Sequence, residues 1–362
     1  MLGLFFMKMG ILGAGQLGRM LALAGYPLGF GFKFFDTADA PAGQLAELMI
    51  GDYADQKALD DFAKGLDVIT YEFENVPVQA VRFLEGMLPV YPSARVLEIA
   101  QDRLHEKNFF KSLGIATPDF VDVQSRDDLE KLSYPCILKT RRMGYDGKGQ
   151  AVLRSSIDAD AAWAAMGGQS LILEAFLPFE CEVSVIAARG LSGDIKIYPL
   201  TENVHQEGIL RKSVAPADVG SELQLQAESH ITSILEKLNY VGVLAIEFFV
   251  LDDNLIANEM APRVHNSGHW TIEGAEASQF ENHIRAVVGL PLGEVKLRGY
   301  SAMLNLIGFK PEFKKVFDLP HTHLHWYGKS LKPKRKVGHI TIRTDSREEL
   351  LRVTALVSKC LG

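Results

Sequence analysis

With 362 residues, 47% of them hydrophobic and 23% charged, the chain has an ordinary globular composition and is long enough for two or three cored domains. Its net charge of −7 argues against a general nucleic-acid binder but leaves room for a local basic pocket. Cys136, Cys181 and Cys360 are scattered, with no C-x-x-C pair. They support neither a zinc knuckle nor a disulfide framework, and they fit a reducing, cytoplasmic compartment.

The opening MLGLFFMKMG is apolar but lacks the positive n-region and small-residue cleavage site of a signal peptide. No apolar stretch elsewhere is long enough for a bilayer, so no membrane partner is expected. The first hundred residues then alternate strand and helix patterns. MGILGAG reads as strand and turn, QLGRMLALAGYPLG as a helix, FKFFDT as a second strand and DVITYEFENV as a later one. That alternation predicts a parallel sheet covered on both faces. The first turn spells G-x-G-x-x-G at Gly13, Gly15 and Gly18, and Asp36 closes the second strand where a ribose-binding acid would stand. Two readings remain open. The glycines could turn the chain, admit a pyrophosphate and present a helix N-terminus to it, or they could simply pack a strand-turn-helix unit.

From Leu88 the pattern changes. Pro92 and Ser93 punctuate it, and a long amphipathic helical pattern follows through LEIAQDRLHEKNFFKSLG, placing a boundary near Ala100. YPCILKT is a strand, RRMGYDGKGQ a glycine-rich polar loop and AVLRS another strand. SLILEAFL, CEVSVIAARG and DIKIYPLTENVHQ read as antiparallel strands. SELQLQAESHITSILEKLNY is a helix, and GVLAIEFFVLDDNLIANEMAPR a hairpin turning at Asp252–Asn254. Beyond about Pro291 come short strands in YSAMLNLIG, HLHWYG and KVGHITIRT, then a last helix. The division is therefore 1–100, 101–290 and 291–362, without internal repeats.

Four groups of residues carry chemistry. Lys139 ends an apolar strand just before the loop Gly144–Gln150, which holds a second lysine, Lys148. This is either a phosphate-binding flap or a solvated hairpin. Glu247 and Glu259 sit among apolar neighbours on the two arms of the hairpin, with Asn258 alongside. Buried acids need a partner, and no basic residue lies in either arm, so we read them as a hard-oxygen site for Mg²⁺ carrying nucleotide phosphates. PRVHNSGHW follows directly, and its Arg263, His265, Asn266, Ser267 and His269 suggest a pocket for reacting groups. GKSLKPKRKVGH is a basic run that could be a solvated face, a nucleic-acid patch or a clamp on one substrate phosphate. The alternating His321, His323 and His325 read as a strand, not a metal site.

Lys139, GYDGKGQ, EAFLPFECEVSV and the Glu247–Glu259 pair resemble the ATP-grasp superfamily. Together with GQLGRM, TYEFENVP, QDRLHEK and APRVHNSGHW they resemble its 5-(carboxyamino)imidazole ribonucleotide synthase family, over nearly the whole chain. The resemblance implies a Rossmann-like α/β domain with a parallel sheet, a central α+β ATP-grasp domain and a small C-terminal mixed β domain. It implies ATP-dependent carboxylation of 5-aminoimidazole ribonucleotide with bicarbonate through carboxyphosphate, by a cytoplasmic homodimer in purine biosynthesis. Carried over by position, the ATP-contacting set is Arg103, Lys139, Gly144, Tyr145, Asp146, Gly147, Lys148, Gly149, Gln150, Glu174, Phe176, Leu177, Glu182, His205 and Asn258, with Glu247 and Glu259 as Mg²⁺ ligands. Tyr145, Lys148, Arg263, His265, Asn266 and His269 correspond to the carboxyphosphate region. Gly15, Gln16, Leu17, Lys329, Arg335 and Lys336 correspond to the ribonucleotide region. On this reading the glycine loop faces a mononucleotide, not a dinucleotide. Lys148 stands where many relatives have Arg, Lys334 where a Gly is common, and the apolar residues before Met7 are unusual.

Overall fold

The computed structural model describes residues 7–144 and 148–361. The residues before Met7, and Tyr145, Asp146 and Gly147 of the glycine loop, lie outside the described residues.

Strands β1 (Lys8–Leu12), β2 (Gly31–Asp36), β3 (Glu47–Ile50) and β4 (Val68–Tyr71) form a parallel sheet in the order β3-β2-β1-β4. Ile11, Leu12, Phe34 and Phe35 are wholly buried, as expected where helices cover both faces. DVITYEFENV is strand only to Tyr71, and Glu72 begins the turn that leaves the sheet. β3, with its short and partly exposed ELMI, carried no clear strand pattern in the sequence.

The long helical pattern after Leu88 divides into two helices, Ala94–Ala100 and Arg103–Ser112. Asp102 is extended between them, and its side chain accepts the Leu104 N–H at 3.1 Å. Arg141 and Arg142 both reach the same carboxylate. A new N-cap is thereby set just before Arg103.

β5 (Phe120–Val123), β6 (Cys136–Thr140), β7 (Gln150–Leu153) and β8 (Leu171–Ala175) form a second, antiparallel sheet in the order β5-β8-β6-β7. The third sheet comprises β9 (Cys181–Arg189), β10 (Ile195–Ile197), β11 (Thr201–Gln206), β12 (Ile209–Ala215), β13 (Gly242–Leu251), β14 (Asn254–Ala261), β15 (Tyr300–Ile307), β16 (Thr322–Trp326) and β17 (Lys336–Thr344). Its order is β14-β13-β9-β11-β12-β15-β17-β16, with β10 also on β9. β15, β17 and β16 thus continue the sheet edge to edge, and the helix Arg347–Leu361 covers them with Leu350, Val353 and Val357.

One face of the third sheet packs Val183, Val185, Leu244 and Ile246 against Ala227, Ile231 and Ile234 of the helix Ser221–Lys237. On the other face, Ile186 and Ala188 share a core with Phe280 and Ile284, and with Leu17 and Leu21 of the first helix. His283 pins this contact. Its Nδ1 accepts the Val243 N–H at 3.0 Å, so the proton is on Nε2, which donates to Thr70 Oγ1 at 2.8 Å. Among the described residues no helix is long and apolar enough to cross a membrane.

Candidate active site

The hairpin β13–β14 turns through Asp252 and Asp253, both with positive φ, and pairs regularly from Leu251–Asn254 to Phe248–Ala257. Continued without interruption, that register would set Glu247 opposite Asn258. The register instead shifts by one, and Glu247 pairs with Glu259. Such a bulge sets two successive residues of one strand against a single residue of the other, here Asn258 and Glu259 against Glu247. Burial and then the Glu259 charge push the Glu247 carboxyl above its usual range. Asn258 Oδ1 is buried without a hydrogen-bond partner among the described residues.

The helix Arg103–Ser112 holds the bulged strand in place. Glu106 accepts the Met260 N–H at 2.7 Å, and Lys107 Nζ reaches the Asn258 carbonyl at 3.2 Å. Arg103 Nη1 lies 2.9 Å from Glu259 Oε2, while its Nη2 donates to the Gly144 carbonyl at 3.3 Å. Lys107 also lies 3.4 Å from Glu174 Oε2, and Lys139 2.9 Å from the same oxygen. Burial alone would raise the Glu174 carboxyl, but Lys107 and Lys139 outweigh it and bring it down to about 2. Glu106 and Lys107 close the segment QDRLHEK, but only the fold shows them buried on the Phe110 face of their helix, bracing the hairpin.

Glu182 and His205 meet on β9 and β11, with carboxylate oxygen and Nδ1 3.1 Å apart. Burial would lower His205, but Glu182, and then Glu247, raise it. Phe176 and Leu177 lie between β8 and β9, where the chain passes from the second sheet to the third. Gly149 has φ of +68°, and a Cβ there would stand 2.5 Å from Thr140 Oγ1, so this end of the loop needs glycine.

In the loop after β14, Arg263, His265 and Asn266 are partly open, whereas Val264 and Ser267–Trp270 are buried. Arg263 is bound through Nε to Glu74, from TYEFENVP. Burial would raise Glu74; Arg263 prevails and holds it at about 2. His265 Nε2 lies 3.5 Å from Glu247 Oε1. Asn266 exchanges two amide hydrogen bonds with Asn305 of β15, at 3.1 and 2.6 Å. His269 does not share the open side. It is 1% exposed, packed between the rings of Phe280 and His339.

The glycine loop is closed by the protein itself. Glu72 accepts the N–H groups of Gly15 (2.5 Å) and Gly18 (2.6 Å), and Asp36 accepts that of Ala14 at 2.8 Å. A Cβ at Gly13 or Gly15 would meet the Glu72 side chain at 2.5 Å. The glycines therefore admit a carboxylate where a dinucleotide would place its pyrophosphate. Leu17 packs its side chain in the core, so only its backbone could meet a ligand. Gln16 is brought to Lys329, whose Nζ donates to its Oε1. Lys336 lies close enough to Glu247, His205 and His265 to shift all three. Arg335 is turned into its own loop, onto Ser330 Oγ at 2.6 Å.

Comparison with known proteins fits this architecture. Residues 6–101 match the ribonucleotide synthetase preATP-grasp domain, 108–280 the ATP-grasp domain, and 301–353 the phosphoribosylaminoimidazole carboxylase C-terminal domain. The N5-carboxyaminoimidazole ribonucleotide synthase of Pseudomonas aeruginosa is 54% identical over 95% of this chain and 96% of its own. The chain belongs to the N5-carboxyaminoimidazole ribonucleotide synthase family. The N5-carboxyaminoimidazole ribonucleotide synthetase from Thermus thermophilus superposes with a TM-score of 0.94, at 56% identity, over 97% of this chain and 98% of its own. The Aspergillus clavatus synthase, solved with ADP and 5-aminoimidazole ribonucleotide, gives 0.92 at 28% identity over 99% of both chains.

Against this family frame the predicted residues sort by position. Arg103, Lys139, Gly144, Glu174, Glu182, His205, Glu247, Asn258, Glu259, Arg263 and His265 converge around the bulged hairpin. Gln16 and Lys329 meet at the first domain. Tyr145, Asp146 and Gly147 lie outside the described residues. Three of the predicted residues have other surroundings within the chain: His269 is interior, Arg335 bonds Ser330 of its own loop, and the Gly15 N–H is bonded to Glu72.

Proposed function

We propose that the space around the bulged hairpin is where this synthase performs the ATP-dependent carboxylation of 5-aminoimidazole ribonucleotide, with bicarbonate as the carboxyl source. The observation that carries the residue assignment is the bulge, which sets Asn258 and Glu259 together against Glu247. Two facing carboxylates, with Glu247 raised by burial and by its neighbour, beside an orphaned amide oxygen, fit a hard divalent cation such as Mg²⁺. Among the described residues no group of three or more His, Cys, Asp or Glu side chains forms a cage by itself. Glu247, Glu259 and Asn258 would therefore hold the ion together with nucleotide phosphates. Bound there, it supplies charge neutralisation for the phosphoryl group in flight.

The chain's own residues do the rest. Lys139, oriented by Glu174, and Arg103, oriented by Glu259, place fixed positive charge at the phosphates. Phe176 and Leu177 offer an apolar wall for the purine, between the two sheets. The loop Gly144–Gln150, with Lys148, covers the phosphates and keeps water from carboxyphosphate. Bicarbonate oxygen attacks the γ-phosphorus and ADP leaves. The amine of the ribonucleotide then attacks the activated carbon, releasing phosphate. Arg263, fixed by Glu74, matches a planar oxyanion with its guanidinium, and Asn266 and His265 stand beside it. Gln16 and Lys329, with Lys336, receive the ribonucleotide. His269 supports the loop from behind. The family resemblance alone supports a homodimer in the cytoplasm.

The test is ADP release with bicarbonate, with and without aminoimidazole ribonucleotide, using ¹⁸O-bicarbonate. One labelled oxygen should appear in the released phosphate. Phosphate whose one new oxygen comes from water and not from bicarbonate would overturn the carboxyphosphate route.

A further inference from the structure

Behind Glu247 runs a file of buried polar side chains that no step above uses. Ser213 Oγ on β12 donates to Asn203 Oδ1 on β11 at 2.8 Å, and Asn203 Nδ2 donates to Ser184 Oγ on β9 at 3.0 Å. Ser184 Oγ donates to Ser267 Oγ at 2.7 Å, and Ser267 Oγ lies 2.8 Å from His265 Nδ1. His265 Nε2 in turn faces Glu247 Oε1. Ser184, Ser213 and Ser267 are wholly buried, and Asn203 nearly so. Apolar side chains of similar size would fill this space without the desolvation cost of four polar groups.

A file of hydroxyls has a direction, because each carries one proton. If it runs toward Glu247, every hydroxyl donates to the next group, Nδ1 accepts, and the imidazole proton sits on Nε2. If it runs the other way, Nδ1 carries the proton and donates to Ser267. The backbone favours the first. The Ser267 N–H also donates to His265 Nδ1, at 3.3 Å, as the cap of the short turn Asn266–Gly268. A proton on Nδ1 would oppose it.

We propose that Ser213, Asn203, Ser184 and Ser267 are positioning residues that fix His265 as its Nε2–H tautomer, so that the imidazole presents a donor to Glu247. His265 then orients a carboxylate and does not act as a base through Nε2. The consequence at Glu247 rests on its reading as a cation ligand. Outer partners that fix a ligand's hydrogen bonding typically change metal affinity or activity by 10–100-fold.

The experiment is ¹⁵N-histidine labelling of the full chain with long-range ¹H–¹⁵N correlation. His265 is assigned among the 10 histidines by its loss in His265→Gln. A bare Nδ1 and a protonated Nε2 at neutral pH are expected. A proton on Nδ1, alone or in addition, would overturn the proposal. In folded Ser267→Ala only the longer backbone N–H contact at 3.3 Å still meets Nδ1, so an Nδ1–H fraction should appear beside the Nε2–H form, and Mn²⁺–ADP binding, read by electron paramagnetic resonance without turnover, should weaken about tenfold. An unchanged tautomer there would remove the file's role. Failure of the cation reading looks different: Glu247→Gln would hold Mn²⁺–ADP as tightly as the natural chain. The Nε2–H tautomer would then stand and its consequence at Glu247 would fall.

Discussion

Glu72 follows β4 and Glu247 sits within β13, and burial pushes both carboxyls above their usual range. Their lone pairs are treated in opposite ways. Glu72 receives two backbone N–H groups from the start of a helix, so its charge ends inside the protein. Glu247 receives another carboxylate, Glu259, as its cross-strand neighbour. The glycine motif has the form of a ligand site and is filled by its own chain. The hairpin is an ordinary element by sequence, and its acids are set against each other, an arrangement that calls for a cation.

The largest effect should come from removing half of the open pair. Glu259→Gln keeps the shape and deletes one negative ligand oxygen. Loss of several kcal/mol of charge stabilisation corresponds to a kcat drop of about a hundredfold or more. Circular dichroism should remain that of the natural chain. Near-normal turnover at saturating ATP and modest Mg²⁺ would erase the contrast between the two acids.

The closed acid should fail through stability. In Glu72→Gln only one side-chain oxygen remains for the Gly15 and Gly18 N–H groups, and the amide nitrogen faces the other. An unmet buried donor costs about 1–3 kcal/mol, visible as an earlier urea midpoint. Calorimetry should still find no micromolar NADH or NADPH binding to the natural chain. Binding that survives saturating ATP would reopen the dinucleotide reading.

The contrast also marks what the sequence could convey. Lys139, the loop after it, the hairpin and the polar cluster after it were legible, because strand periodicity and clustered side chains are local properties. The facing of Glu247 and Glu259 was expected, but the bulge that produces it was not, since a plain hairpin closed at Asp252–Asp253 sets Glu247 against Asn258. The occupation of the glycine loop by Glu72 was hidden as well, because 57 residues separate it from Gly15. His269 looked equivalent to His265, although His265 faces the open side and His269 the core. Ser184, Asn203 and Ser213 could not be found at all, since a polar residue in a strand does not reveal which face it takes.

The two regions are also joined, through His283. It bonds Thr70, two residues before Glu72, and Val243, four before Glu247. Burial lowers its pKa to about 3. With an unfolded value of about 6.5, the unfolded chain binds the extra proton first, so stability falls as pH drops from about 6.5 toward 3. By pH 5 this one group should remove about 2 kcal/mol. Urea unfolding of His283→Gln should therefore lose that much less than the natural chain between pH 7.5 and 5. Parallel losses in both proteins would show that His283 does not carry the acid sensitivity of this junction.

A second link between the regions is the segment that runs from Lys329, at Gln16, to Lys336, near Glu247. Lys334 lies within it and has φ of +61°. That conformation costs an L-residue about 1–2 kcal/mol and costs glycine nothing of the kind. It gives a physical reason why glycine suits this position. Lys334→Gly would give back part of the gain, because glycine is freer in the unfolded chain by about 0.5–1 kcal/mol. It would also lose the exposed ion pair with Glu207, 3.0 Å apart, a kind of contact worth about 0–1 kcal/mol. The expected net change is small, a gain of up to about 0.5 kcal/mol, read as a rise of less than about 1 °C in the thermal midpoint. The Michaelis constant for aminoimidazole ribonucleotide should stay put, since neither Lys329 nor Lys336 is altered. A rise in that constant with no gain in midpoint would mean that the Lys334 charge, and not its backbone, is what this bridge between the two acids uses.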